Sequence, residues 1–171
     1  MRIACHADSP FGVVTALYED GVIRRVLFPD EMPGLGYITD DSLPFAAQMA
    51  EYFAGKRRSF DLPLFLPGTP FRQAVYQTTI RIPYGATATY GELALAAGFP
   101  LAMRAVGTTM KLNPLPILIP CHRVVHKAPS RAAYGGGLDV KNFLLELEAN
   151  TVSFRRNAPI TQKTSQRLTF C

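Results

Sequence analysis

The pattern of apolar and polar positions predicts that the chain opens with a β-hairpin. Two runs rich in Val, Leu, Ile and aromatic residues extend over positions 11–18 and 22–28. Asp20 and Gly21 lie between them, and Asp-Gly is a preferred two-residue turn between antiparallel strands. The next segment, residues 30–41, contains prolines and glycines and is predicted to be a loop. A small antiparallel sheet is therefore expected at the start of the chain.

A helix is predicted after this loop, because the spacing of apolar residues changes to that of a helix. Phe45, Met49 and Phe53 fall on one helical face. We expect this helix to begin at Ser42 and to end at Gly55, because glycine commonly follows the last helical residue.

A second helix is predicted after a linker at residues 62–68, which contains two prolines. Thr69 is suited to cap this helix, and Pro70 is suited to its first position. The apolar positions expected to face the core are Phe71, Val75 and Ile80.

Two short helices joined by a tight turn are predicted within residues 89–112. Thr89 and Glu92 have the spacing of a capping box, so the first helix begins there and stops at Gly98. The second extends over about 102–112 and ends at an Asn-Pro pair. In a DNA-binding helix-turn-helix the second helix contacts the DNA, although helix pairs of this shape are also frequent in other proteins.

The predicted second helix carries small side chains. They belong to Ala102, Ala105, Gly107 and Thr108. Small side chains allow the close backbone approach that suits the narrow minor groove of DNA, and they equally allow tight packing against another helix. Arg104 lies among them and is either a surface charge or a probe that enters the duplex.

Composition adds little to this picture. A chain of 171 residues with 48% hydrophobic residues can form one large domain or two small ones. The net charge of +5 is compatible with a polyanionic partner but does not require one. No apolar run reaches the length of a membrane span and no signal peptide is recognised, so an intracellular protein is expected. The three cysteines are far apart, which argues against a disulfide framework.

The candidate chemistry lies in residues 120–124, Pro-Cys-His-Arg-Val, which follow an apolar, strand-like run at 117–119. The thiolate is the reactive form of cysteine, so a nucleophilic Cys121 needs a neighbour that takes its proton. His122 is the nearest candidate, directly or through water, and Arg123 adds positive charge that favours the thiolate. The alternative is that Cys121 is a small buried hydrophobic residue.

Several segments from Gly68 to Glu148 occur in the order and at the spacing of one protein family. They are Gly68-Thr69-Pro70-Phe71, Ile82-Pro83-Tyr84-Gly85, Thr89-Tyr90-Gly91-Glu92-Leu93-Ala94, Arg104-Ala105-Val106-Gly107, Asn113-Pro114, Pro120-Cys121-His122-Arg123-Val124, Tyr134-Gly135-Gly136-Gly137-Leu138, and Lys141 with Leu144, Leu145 and Glu148. With these motifs the chain resembles the O6-alkylguanine-DNA alkyltransferases, the suicide DNA-repair proteins. The resemblance is weaker over the first 67 residues.

The resemblance implies an α/β (α+β) protein. Residues 1–67 are expected to form a supporting, ribonuclease H-like domain in which a small antiparallel sheet packs with a helix, followed by a linker. Residues 68–150 are expected to form a mostly helical DNA-binding and alkyl-transfer domain of winged-helix or helix-turn-helix type, and 151–171 a C-terminal tail. We expect a cytoplasmic monomer (nuclear in a eukaryote) that binds double-stranded DNA containing alkylated guanine, with no cofactor and no membrane association.

The resemblance also implies one stoichiometric alkyl transfer from O6-alkylguanine, with O4-alkylthymine as a second candidate substrate. Cys121 would be the nucleophile, His122 the base acting through water, and Glu148 the group that orients the imidazole. Asn113 is expected to hold the turn before the active-site segment through side-chain hydrogen bonds to the backbone. Tyr90 would crowd the phosphate beside the target nucleotide and donate a proton to the leaving guanine. Its alternative is an ordinary tyrosine at a helix start.

Nucleotide flipping through the minor groove is the remaining implication of the resemblance, because the reacting carbon lies inside the base stack. Arg104 would fill the space of the extruded nucleotide. The residues expected around the alkylguanine are Tyr134, Gly135, Gly136, Val124 and Arg123. For Val124, a position in the core is an equal alternative. Gly135 stands where relatives often have a hydroxyl residue, and the loop at 127–133 departs from the family pattern. We expect these departures to affect substrate range and reaction rate more than the type of reaction.

Some relatives hold zinc in the N-terminal domain, but Cys5 and His6 have no second Cys or His nearby, so no metal is expected. Two other functions stay open. A lesion-binding protein that does not react is argued against by the presence of Cys121. An unrelated Cys-His hydrolase is argued against by the helix-turn-helix with Arg104.

Overall fold

The computed structural model describes residues 1–127, 137–154 and 168–169. The chain divides into two compact units, one formed by Met1–Phe65 with Ala158–Cys171 and the other by Leu66–Asn157. Together they form a mixed α+β structure, with a small sheet and five helices in the described ranges. None of the helices described is both long and apolar enough to span a bilayer.

The first unit is built on a six-stranded sheet with the strand order β4-β1-β2-β3-β5-β8. The strands are β1 (Arg2–Ser9), β2 (Gly12–Glu19), β3 (Val22–Leu27), β4 (Ile38–Thr39), β5 (Leu64–Phe65) and β8 (Leu168–Thr169). The predicted hairpin is confirmed, because β2 and β3 pair in antiparallel fashion around Asp20 and Gly21, which both have positive φ.

The expectation of an antiparallel sheet was wrong for its outer strands. Strands β4, β5 and β8 each pair in parallel with a neighbour, so the sheet is mixed. Strand β4 lies inside the predicted loop and β5 inside the predicted linker. Each has two residues, and two residues are too few to show the alternation by which a strand is recognised in sequence.

Helix α1 (Pro44–Phe53) packs on the sheet through an apolar face. Phe45 and Met49 are fully buried as predicted. Tyr52 is buried too, whereas the neighbouring Phe53 is half-buried and meets the ring of Phe11 at 5.7 Å between centroids. The helix therefore turns a broader apolar face to the sheet than the single predicted stripe.

The second unit is mostly helical. It contains α2 (Pro70–Ile80), α3 (Tyr90–Ala96), α4 (Met103–Lys111), α5 (Gly137–Phe154) and a parallel pair of short strands, β6 (Ala88–Thr89) and β7 (Val124–Val125). The predicted caps are present: Thr69 accepts a hydrogen bond from the Arg72 amide, and Thr89 and Glu92 form a capping box. Gly98, with a φ of 87°, follows the end of α3. Helix α5 ends inside the segment assigned from sequence to the tail.

The apolar run before the Pro-Cys-His-Arg motif forms a buried turn, not the predicted strand. Ile117, Leu118 and Ile119 are at most 1% exposed. Ile117 has a φ of 72°, a left-handed conformation that a β-branched residue seldom adopts and that only surrounding structure can hold. This buried turn delivers the chain from α4 to Cys121.

Candidate active site

Cys121 begins a single 3-10 turn, Cys121–Arg123, that leads directly into strand β7. Its side chain is 7% exposed. The turn is closed by the Arg123 amide, which donates to the carbonyl of Pro120 at 2.9 Å. Because consecutive residues of so tight a turn point in different directions, Cys121 and His122 face different neighbours.

Asn113 connects the end of α4 to the thiol. Its Nδ2 donates to the Ile119 carbonyl at 3.0 Å and lies 3.0 Å from Cys121 Sγ, while its Oδ1 accepts from the Leu115 amide at 2.9 Å. The predicted side-chain hydrogen bonds to the turn backbone are therefore present. The contact with sulfur is an addition, and an amide donor at this distance favours the thiolate over the thiol.

His122 is buried completely, and its Nε2 lies 2.9 Å from Glu148 Oε1 on helix α5. Glu148 is 26 positions further along the chain, so only folding brings the two together. The structure therefore brings together the two residues that the family resemblance paired, which is the contact an orienting carboxylate needs.

Arg123 points into the same buried cluster. Its Nε and Nη2 donate to the Glu148 carboxylate at 2.9–3.2 Å, and Nη1 donates to the Ile82 carbonyl at 2.7 Å. The Gly85 amide also donates to Glu148, at 2.9 Å. Arg123, which the resemblance assigned to the alkylguanine pocket, is 6% exposed and bound to Glu148, because a buried guanidinium needs a carboxylate partner.

The protonation states of His122 and Glu148 follow from this arrangement. Burial alone raises the pKa of Glu148, but hydrogen bonds and charges from His122 and Arg123 lower it to about 2. Burial lowers the pKa of His122, and the charges of Arg123 and Lys141 act in the same direction against the opposing effect of Glu148. At neutral pH the site therefore holds an ionised carboxylate beside a neutral imidazole.

An ionised carboxylate only accepts hydrogen bonds, so the His122 proton resides on Nε2 and is donated to Glu148. Nδ1 is then left as a bare acceptor. It is buried and has no hydrogen-bond partner within the described part of the chain. The imidazole is thus fixed in the tautomer that can receive a proton at Nδ1.

Lys141 is a buried cation whose charge acts on both His122 and Cys121. Its side chain is 3% exposed, and its Nζ donates to the Val124 carbonyl at 2.8 Å. Burial lowers the pKa of this ammonium, while the negative charge of a nearby Cys121 raises it. Val124 itself is fully buried. Lys141 therefore fixes the backbone of the strand that follows Cys121 and adds positive charge on the thiol side.

Tyr90, the first residue of α3, lies between the thiol and the predicted DNA-binding helix. Its ring is half-buried and stands 4.7 Å, centroid to centroid, from the ring of His126. On the α4 side, a Cβ placed on Gly107 would lie 4.0 Å from the Tyr90 ring. Burial and the charge of Cys121 both raise the Tyr90 pKa, so the phenol keeps its proton at neutral pH.

Helix α4 exposes most of the predicted DNA-contacting residues. Arg104, Ala105 and Thr108 are exposed, and Ala102 and Gly107 are half-buried. The other face of the helix carries Val106, Thr109 and Met110, which are buried in the core. The helix thus separates a surface of small residues around one arginine from an apolar packing face.

Comparison with known proteins places this geometry in a family. Residues 70–150 match the model of the 6-O-methylguanine DNA methyltransferase, DNA binding domain. Over 157 residues the chain is 40% identical to the methylated-DNA–protein-cysteine methyltransferase of Mycolicibacterium paratuberculosis, covering 89% of this chain and 92% of the relative. The chain belongs to the methylated-DNA–protein-cysteine methyltransferase family.

Two further matches describe the reach of this likeness to other methyltransferases. The constitutive methylated-DNA–protein-cysteine methyltransferase of Bacillus subtilis is 50% identical over 102 residues, which cover 59% of this chain and 62% of that protein. The crystal structure of Mycobacterium tuberculosis OGT in complex with DNA matches with a TM-score of 0.79 and 37% identity, covering 86% of this chain and 93% of that chain.

Sequence reasoning missed several groups of this methyltransferase site. Lys141 stood in a matched motif without a role, and the Ile82 carbonyl and Gly85 amide are backbone groups with no sequence signal. Tyr76 of α2 was not assigned a role either. Its hydroxyl donates towards the carbonyls of Thr109 and Leu112, at 3.3 and 3.4 Å, near the end of α4.

The predicted lid of the methyltransferase pocket lies outside the described residues. Tyr134, Gly135 and Gly136 belong to it, as does the divergent loop apart from Lys127. Gly137, the next residue, starts helix α5 with a φ of 87°. In the described ranges no three Cys, His, Asp or Glu side chains are grouped so as to hold a metal ion.

Proposed function

We propose that this chain repairs DNA by moving an alkyl group from O6 of guanine to Sγ of Cys121, once per molecule. The observation that carries the proposal is the buried thiol bound by Asn113, beside a His122 imidazole whose free acceptor atom is set by Glu148. Such a set activates a nucleophile without any cofactor. The names of the relatives, which are methylated-DNA–protein-cysteine methyltransferases, support the same reaction.

The reaction is a displacement at the alkyl carbon. Sulfur forms a bond to that carbon, the bond from carbon to O6 breaks, and its electron pair stays with guanine. The thiol proton passes through a bridging water to His122 Nδ1, and the departing guanine takes a proton from the Tyr90 phenol. The step leaves an imidazolium at His122 and a phenolate at Tyr90, whose charges cancel, and solvent then returns a proton to Tyr90 and takes one from His122. The thioether has no reverse step, so each molecule acts once.

Glu148 and Arg123 act on this reaction through the imidazole. Glu148 stabilises the imidazolium that forms when His122 accepts the proton, as the carboxylate does in other nucleophile–histidine–acid sets. Arg123 keeps Glu148 ionised and in place through its paired hydrogen bonds. Neither residue needs to touch the substrate.

Helix α4 is the proposed DNA-contacting element, with its small residues against the minor groove and Arg104 inside the duplex. Extruding the target nucleotide costs a few kcal/mol of lost stacking and pairing, which Arg104 offsets by occupying the vacated space. Tyr90 would crowd the adjacent phosphate. The solved complex of the Mycobacterium tuberculosis relative with DNA supports DNA as the partner.

The finer parts of the proposal concern substrate range, fold type, oligomeric state and cellular location. We include O4-alkylthymine as a second substrate, because it offers an alkyl carbon on an exocyclic oxygen in the same way. The lid at 134–136 would cover the flipped base above Val124. A ribonuclease H-like first unit, a winged-helix second unit, a monomer and a cytoplasmic location complete the proposal.

The deciding experiment is the intact mass of the protein, with peptide mapping, after incubation with a duplex containing O6-methylguanine. One methyl on Cys121 and never more than one per molecule is the expected result. Cys121→Ala should bind the duplex without gaining mass, and Cys5→Ala and Cys171→Ala should still gain one methyl. A methyl on Cys5 or Cys171 would contradict the assignment of the nucleophile. Tight binding without transfer would favour a lesion-binding protein.

A further inference from the structure

We propose that His126 is a positioning residue for Tyr90, a role that rests on the proposed alkyl transfer. The pairing of the two short strands explains why the two side chains meet. Strands β6 and β7 are parallel, with Thr89 opposite Val125. Tyr90 directly follows Thr89, and His126 directly follows Val125. The two residues therefore leave the paired strands side by side.

Two neighbours, His126 and Gly107, lie close to the Tyr90 ring. His126 stands on one side, with ring centroids 4.7 Å apart and planes inclined by 43°. A Cβ built on Gly107 of α4 would lie 4.0 Å from Cδ1 and Cε1 of the same ring, which is ordinary van der Waals contact. The ring is thus bounded by the end of the active-site strand and by the DNA-contacting helix.

The Tyr90 hydroxyl makes no hydrogen bond to any described residue, so nothing at its polar end fixes the phenol. Among the described residues, packing against the ring is therefore what positions the proton donor. A proton donor has to lie within hydrogen-bond reach of its acceptor, and a displacement of about 1 Å can cost up to about a hundredfold in rate. His126 is exposed to solvent, so its ring can be replaced to test this packing without disturbing the core.

The test compares His126→Ala, which removes the ring, with His126→Phe, which keeps a flat ring of similar size. The matched control is Lys127→Ala, an exposed change at the next position. Three quantities are measured for each: the single-turnover rate of methyl transfer at saturating protein, the affinity for the unmodified duplex, and the melting temperature.

His126→Ala is expected to slow the saturated transfer step by about tenfold, with affinity and melting temperature unchanged. His126→Phe should restore most of the rate. In a Tyr90→Phe background, which lacks the phenol proton, His126→Ala should have little further effect, because the two residues act as a unit.

Other outcomes overturn the inference. A wild-type rate in His126→Ala would show that the ring needs no such support. Equal loss of DNA affinity in His126→Ala and Lys127→Ala would make His126 a plain DNA contact, and a slow His126→Phe would assign the role to the imidazole nitrogens. If the wild-type protein gains no methyl, the proposed function itself fails, a result distinct from all of these.

Discussion

Glu148 is the residue on which the candidate active site depends most. A single carboxylate accepts hydrogen bonds from His122, from Arg123 and from the Gly85 amide, and it is 1% exposed. Because Arg123 stays charged, removing the negative charge leaves a buried guanidinium without its counter-ion. The same residue therefore serves the fold and the imidazole.

Glu148→Gln is expected to destabilise the second unit by about 3–5 kcal/mol, the usual cost of breaking a buried ion pair from one side. The transfer rate should fall as well, because the imidazolium loses its stabilising charge. Urea unfolding and single-turnover transfer measure the two effects. Glu146→Gln, an exposed change on the same helix, is the control and should leave both unchanged.

Asn113 offers a way to separate turn structure from thiol activation. Asn113→Asp keeps the oxygen that accepts from Leu115 but replaces the donor beside Cys121 with a negative charge, whereas Asn113→Ala removes both groups. We expect Asn113→Asp to react more slowly than Asn113→Ala, because its carboxylate repels the thiolate. The free energy of unfolding of Asn113→Ala should be lower than that of the wild type by about 1–3 kcal/mol, since the substitution leaves buried backbone groups unpaired.

The check is the rate of iodoacetamide alkylation at Cys121, followed by peptide mapping over a range of pH. Denaturant unfolding of the same two variants gives the stability comparison. Equal alkylation rates in both variants would mean that the Asn113 amide does not act on sulfur.

At the scale of secondary structure, the caps and the apolar periodicity were enough to predict four of the helices in outline. Thr69, Thr89 and Glu92 carry local signals that survive folding, because their hydrogen bonds join residues three positions apart. Strands β4 and β5 could not be predicted, since their pairing depends on residues far along the chain.

The candidate active site also combines features with a local sequence signal and contacts that form only on folding. Cys121 and His122 could be selected because they are adjacent in sequence, and Glu148 only through a family motif. The contact of Arg123 with Glu148 was not predicted, because nothing local indicates that a guanidinium will be buried against a carboxylate 25 positions away. Lys141 had no predictable role, since its partner is a backbone carbonyl.

Helix α4 carries a glycine, Gly107, in its interior, where glycine is less favourable than alanine. Gly107→Ala should stabilise the helix by up to about 1 kcal/mol, the difference in helix propensity. A Cβ there would meet the Tyr90 ring at 4.0 Å, an ordinary contact, so no strain opposes this gain.

The same substitution should weaken binding to duplex DNA, because the added methyl keeps the α4 backbone further from the groove. Thermal unfolding and fluorescence anisotropy with a labelled duplex test the two effects. Gly91→Ala adds a methyl to α3 with similar free space and serves as the control. If Gly107→Ala binds DNA as tightly as the wild type, close approach of this helix is not part of recognition.

For the whole molecule, the buried cluster predicts that stability falls in acid. The pKa of Glu148 is lowered to about 2 in the folded state, against about 4.3 when unfolded. Its contribution is therefore complete above about pH 4.3 and is lost as pH falls towards 2. Burial also lowers the pKa of His122, so below about pH 6.5 the unfolded state takes up a proton that the folded state does not.

Both groups thus make the second unit less stable as pH decreases, starting near pH 6.5 and continuing below pH 4.3. Hydrogen exchange of the α5 amides between pH 7 and 3, corrected for intrinsic rates, follows this unit by itself. Glu148→Gln should remove the part of the slope below about pH 4.3 and keep the part above it. A slope unchanged in Glu148→Gln would assign the acid sensitivity to other carboxylates.

The burial of Cys121 has a consequence for how long the protein lasts. Under the proposed single transfer, the thiol of each molecule has to stay unreacted until the lesion is met, so protection of the thiol matters as much as the rate of transfer. With 7% of the residue exposed, oxidants and electrophiles in solution reach the sulfur slowly, whereas the proposed flipped base would be held against it. Burial therefore slows the unproductive loss of the thiol before the proposed transfer.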